Sequence, residues 1–125
     1  MITREYDPET STLKTKYCGN LTLDELREYL GHIGESGEYD RRLYILTDGS
    51  EAKVDFPVDA IGFVMEETAK AVKPYASVRE AILTNNPLET AYATHYQSLN
   101  EIPNYAVQVL STVEAATEWL YGGGE

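Results

Sequence analysis

Two hydrophobic rhythms take turns along the chain, and the clearest change between them falls within Ser77–Leu99. Val78 opens a run that becomes continuously apolar at Ala81, Ile82 and Leu83, a pattern suited to a strand covered on both faces, as in a parallel sheet. Asn85, Asn86 and Pro87 break it. Asn86 is a good N-cap, Pro87 suits the first helical position, and Glu89 stands where a capping-box carboxylate reaches back. Leu88, Tyr92, Tyr96 and Leu99 then recur at helical spacing. The stretch predicts a buried strand, a tight turn and an amphipathic helix.

The same alternation runs through the rest of the chain. Met1–Tyr6 reads as an edge strand before an Asp7-Pro8 turn. Thr12–Cys18 has strand composition, with Leu13, Thr15 and Tyr17 on one face and Lys14, Lys16 and Cys18 on a wetter one; Gly19-Asn20 ends it. Thr22 and Glu25 form a capping-box pattern ahead of the stripe Leu23, Leu26, Leu30 and Ile33. A polar connector, Gly34–Asp40, leads to the run Leu43–Leu46, a second interior strand closed by a turn at Thr47, Asp48, Gly49 and Ser50. Pro57 starts a longer helix whose buried face is Val58, Ile61, Val64, Met65, Ala69 and Val72. Gly62 within it costs about 1 kcal/mol of propensity relative to alanine, which close helix-to-sheet approach would explain. Lys73-Pro74 stops this helix, and Tyr105–Leu110 alternates as a last strand after the Ile102-Pro103-Asn104 turn. Ser111 and Glu114 suggest another capping box, before a helix built on Val113, Ala116, Trp119 and Leu120. Strand and helix alternate throughout. This predicts an α/β fold with a mixed, mostly parallel sheet of about five strands and about four helices.

At 125 residues the chain has the length of one domain, taken as 1–121 with a flexible glycine-rich tail at 122–125. A net charge of −11, from 21 acidic and 10 basic side chains, repels phosphate backbones and anionic headgroups, so neither nucleic acid nor a membrane surface is expected as a partner. No apolar run approaches roughly 18 residues and no leader pattern follows Met1, which points to a cytoplasmic protein without membrane insertion. The single cysteine, Cys18, forms no internal disulfide, and as a strand residue it is expected to be buried. Ten tyrosines against two phenylalanines and one tryptophan suggest rings at the core's rim or in an interface, where the hydroxyl stays wet.

Loops after the carboxyl ends of parallel strands are the default ligand location, and the candidate binding residues there are Asp48, Ser50, Asn85 and Asn86. Ser111 and Thr112 occupy the corresponding place after the last strand. Turning the chain and capping helices account for these residue types more directly, because the capping-box spacings favour that role. His95, between Tyr92 and Leu99, is a candidate base if a pocket joins it to Asp48. His32 has only Glu28 at helical spacing, which is weak evidence for a metal. No phosphate-binding glycine loop and no nucleophile elbow is present. No catalytic set, metal site or cofactor follows from these residues.

Four segments, Lys14–Leu26, Leu43–Asp48, Ala81–Leu88 and Val109–Ala116, together resemble the SpoIIAA-like, or STAS-like, group of small bacterial proteins. The resemblance implies a superhelix of β-α turns with a mixed sheet and a regulatory or protein-interaction module without catalysis. Such a module is expected to act on a protein partner or as a homodimer using exposed tyrosines. In anti-anti-sigma members an Asp-Ser-Ser-Gly-like run at the start of the helix after the interior strand carries a phosphorylated serine. The matching stretch here is Asp55-Phe56-Pro57, with no hydroxyl, and Ser50 lies upstream of it. The resemblance therefore implies a member without that phosphorylation switch. The related CRAL-TRIO architecture winds the same way around apolar ligands, so a small-molecule or lipid carrier is the alternative, marked by an interior cavity of several hundred Å³ on the scale of ligand pockets.

Overall fold

A computed structural model describes residues 1–122. Strands β1 (Ile2–Asp7), β2 (Thr12–Leu21), β3 (Arg42–Val54), β4 (Ser77–Leu83) and β5 (Tyr105–Leu110) form one sheet in sequential order. The β1–β2 hairpin is antiparallel and every other pairing is parallel. Helices α1 (Leu23–Glu35), α2 (Ile61–Val72) and α3 (Pro87–Leu99) make the crossovers, and α4 (Val113–Gly122) follows β5. A single 3₁₀ turn, Val58–Ala60, precedes α2.

The period-2 pattern sorts the strand side chains between two layers. Leu13, Leu43, Ile45, Val78 and Val107 pack with residues of α1, α2 and α3 on one face. Ala81 and Leu83 meet Ala116 and Leu120 of α4 on the other, with Tyr44 and Leu46 beside them. β4 is interior, hydrogen-bonded to β3 and β5, so its apolar run is covered on both sides. Arg79, on the α4 face, lies 4.0 Å above the Trp119 ring and donates to the Trp119 carbonyl at 2.7 Å.

Several local expectations give way to tertiary structure. β2 does not stop at Gly19-Asn20; it continues to Leu21, with Gly19 at a φ of +69° and paired to Ala52. The Asp48-Gly49-Ser50 cluster is not a turn either. β3 runs through it, gaining one residue against β2 between the Lys16–Asp48 and Cys18–Glu51 pairs, which makes it a β-bulge. Gly49 is needed there because a Cβ would lie 3.1 Å from the Leu83 carbonyl oxygen.

Gly62, by contrast, has open space around it, and the close approach belongs to Gly34, whose Cβ would lie 3.3 Å from Cα of Ala71 in α2. Val58, Leu88 and Leu99 are 46%, 57% and 38% exposed, while Thr68 and Glu89 take the buried places their helices were expected to fill with aliphatic residues. Cys18 is half-buried and near Glu51. Tyr29, Tyr39, Tyr75, Tyr96 and Tyr105 are core residues, leaving Tyr121 as the exposed large aromatic among the described tyrosines. Gly122 is the last residue of α4, and positions 123–125 of the expected tail lie outside the described residues.

Candidate functional site

A cavity of about 100 Å³ lies between the sheet and α1, α2 and α3, near the carboxyl ends of β3 and β4. The period of each element brings its wall together. β4 contributes Glu80 and Ile82, two residues apart and therefore on one face. β3 contributes Ile45, Gly49, Ala52 and Val54, so the extra residue of the bulge moves the inward positions of this strand from odd to even numbers. α3 contributes Tyr92 and Tyr96 at helical spacing.

The polar centre of this wall is Glu80, a carboxyl 8% exposed in the middle of the sheet. Thr47 Oγ1 donates to its Oε2 at 2.6 Å, and the Tyr105 hydroxyl donates to its Oε1 at 2.5 Å. The contacts continue from Tyr105 to Tyr96 at 2.8 Å and from Tyr96 to Thr68 at 2.8 Å; Thr68 also reaches the Val64 carbonyl at 2.9 Å. Burial pushes the Glu80 carboxyl above the ordinary carboxylate range, against the opposing pull of Thr47 and Tyr105. Burial likewise raises the Tyr96 and Tyr105 phenols, with the nearby Glu80 carboxyl adding to it. Among the described residues no ion pair includes Glu80.

The residues singled out from the sequence do not converge on this centre. Asp48 Oδ1 accepts from the Ser50 amide at 3.0 Å and its hydroxyl at 2.6 Å, tying the bulge. Asp48 belongs to a shallow depression on the sheet's opposite face, with Lys14, Lys16 and Val113. Asn86 caps α3 by accepting from the Leu88 amide at 2.9 Å, and Asn85 is exposed. His95 is exposed on α3, the helix that supplies the cavity wall, so it and Asp48 sit on opposite sides of the sheet. Glu89 does not complete a capping box; it turns inward and accepts the Val54 amide at 3.1 Å, ending β3. At α4 the cap is Thr112, which accepts from the Ala115 amide at 3.1 Å, in place of the expected Ser111–Glu114 pair. His32 meets the Tyr39 hydroxyl at 2.8 Å. Among the described residues no three His, Cys, Asp or Glu side chains gather as a metal site requires.

Glu80 escaped the sequence reading, although its signal is present. In Val78-Arg79-Glu80-Ala81-Ile82 it shares the inward face with Val78 and Ile82. A carboxylate at that register of a strand buried on both sides must be buried as well.

The winding matches a known class of fold. A solved structure from Shewanella loihica PV-4, an uncharacterized protein of the DUF3478 family with a SpoIIAA-like fold, superposes with a TM-score of 0.62, covering 96% of this chain and 92% of that one at 18% identity. The chain is an α/β protein of SpoIIAA-like fold. No protein-family model matches the chain, and no curated protein matches it significantly. Among the described residues no helix is long and apolar enough to cross a membrane.

Proposed function

We propose that the chain is a non-catalytic regulatory module of the STAS-like kind, acting through contacts with protein, and in the first instance with a second copy of itself. The observation that supports this most is how the polar side chains at the strand ends are used. Asp48, Asn86, Glu89 and Thr112 each hold a backbone amide of the chain itself. These are the positions from which open α/β sheets usually reach a substrate. Asp55-Phe56-Pro57, in the connection between β3 and the 3₁₀ turn before α2, stands where anti-anti-sigma members carry a phosphorylated serine, so regulation here works without that acceptor. Apolar side chains are available for contact at Leu88 and Leu99 on α3 and Phe63 on α2. A lipid carrier is not favoured, since the interior space of about 100 Å³ is smaller than the ~150 Å³ that holds one benzene ring and far too small for an acyl chain.

Size-exclusion chromatography with light scattering over a concentration series tests the self-contact. A dimer is expected, weakened by Leu99→Glu. A strict monomer at the highest concentration would remove the self-contact and leave only a heterologous partner.

A further inference from the structure

We propose that the cavity between the sheet and α1, α2 and α3 is a binding site for a small organic ammonium ion, held by the Glu80 carboxylate among the tyrosines of the wall. Three features of the wall select that chemistry. Glu80 offers a carboxylate with about four acceptor positions, of which Thr47 and Tyr105 occupy two. An ionised carboxylate in an apolar wall calls for a compensating cation, and no ion pair among the described residues supplies one. Tyr17, Tyr29, Tyr92, Tyr96 and Tyr105 also line the space. Ring faces carry the negative side of the aromatic quadrupole, which is why aromatic cages take ammonium ligands.

Charge and size narrow the class further. A second carboxylate, Glu89, is in the same wall, and the chain's net charge of −11 disfavours anions at every distance. A neutral apolar guest gains nothing from the Glu80 carboxylate. The volume of about 100 Å³ sets an upper limit below one benzene ring, since a cavity of ~150 Å³ accommodates benzene. Position agrees with this reading: the half-buried Phe56 and Tyr92, in edge contact at 5.8 Å, stand in the wall at the strands' carboxyl end, where open sheets take ligands. The site is independent of the protein contacts proposed above.

The test is a titration followed by amide chemical shifts, with small probes of similar size and three charges: ethylammonium, ethanol and acetate at equal ionic strength. Saturable shifts at amides of β4 and α3 are expected for the ammonium, binding at least about tenfold more weakly for the alcohol, and none for the acid. Glu80→Gln should lose about tenfold or more for the ammonium while leaving the alcohol unchanged. Ala93→Phe, which fills a half-buried wall position, should abolish binding of both. The charge series in the unsubstituted protein decides the matter even where a variant fails to fold. Equal binding of ammonium and alcohol, shifts confined to amides of surface carboxylates, or no saturable shift in the millimolar range would each overturn the proposal.

Discussion

Glu80 occupies a strand position whose inward neighbours, two residues away on either side, are Val78 and Ile82. The hydrogen-bond partners explain how the sheet tolerates it. With the carboxylate ionised, Thr68 donates to Tyr96, Tyr96 to Tyr105 and Tyr105 to Glu80. With it protonated, all three donations reverse and Thr68 turns to the Val64 carbonyl; Thr47 donates to Oε2 in both states. Every hydroxyl is satisfied either way, so the proton can be present or absent without an orphaned group. Among the described residues its hydrogen-bond partners are the hydroxyls of Thr47 on β3 and Tyr105 on β5, and burial is the largest influence on its carboxyl. Its folded pKa lies above an unfolded value of about 4.3. The stability this group adds is therefore complete below that value and is lost as pH rises through the folded pKa. Glu80→Gln removes the titration and keeps the shape. Urea unfolding at about pH 4 and about pH 8, which bracket the loss from the unfolded value upward, should show stability of the natural chain relative to Glu80→Gln falling as pH rises. A difference that is flat with pH, or that grows, would contradict an elevated Glu80.

At the scale of elements, periodicity was a better guide than punctuation. The strands at Leu43–Leu46 and Ala81–Leu83 and the helix stripe of Leu26 and Ile33 follow from apolar spacing alone, because burying those side chains dominates the local energetics. Turn and cap signals were ambiguous for a physical reason: Asp, Asn, Ser, Thr and Gly serve a bulge, a cap or a turn equally well, and only neighbouring strands decide which. Thr22 and Glu25 did form the capping box, while Glu89 was drawn instead to a strand end that no local pattern reveals. The candidate site was the least legible part, since the cavity joins residues from five or more separate elements, among them β2, β3, β4, α2 and α3. Glycine roles were hidden likewise, and they separate cleanly in an experiment. Gly62→Ala should stabilise the fold by up to about 1 kcal/mol, because nothing crowds a Cβ there and helix propensity improves. Gly34→Leu should destabilise it by about 1–3 kcal/mol, because its side chain meets the α2 backbone at Ala71. Denaturation midpoints of the two variants moving in the same direction would refute this placement of the α1–α2 contact.

The whole molecule is a sheet wound in sequential order with three helices on one face and α4 on the other, and its surface is strongly acidic. Two electrostatic effects compete on that surface. The ion pairs of Lys16 with Glu51, Lys70 with Glu67 and the N-terminus with Glu25 favour the fold, but each has at least one largely exposed partner. Such pairs contribute about 0–1 kcal/mol and weaken with salt. Against them stands the mutual repulsion of 21 acidic side chains offset by only 10 basic ones, which opposes the compact state and is also screened by salt. Repulsion acts between many pairs and the attraction among few, so screening should relieve more than it removes. Raising sodium chloride from about 20 mM to about 200 mM shortens the Debye length from roughly 20 Å to below 10 Å. Calorimetry should then show a rise in Tm corresponding to the order of 1 kcal/mol, about 4 °C for a domain of this size. A Tm that falls with salt would mean the exposed pairs outweigh the excess negative charge, and would make the acidic surface a stabilising feature of the fold.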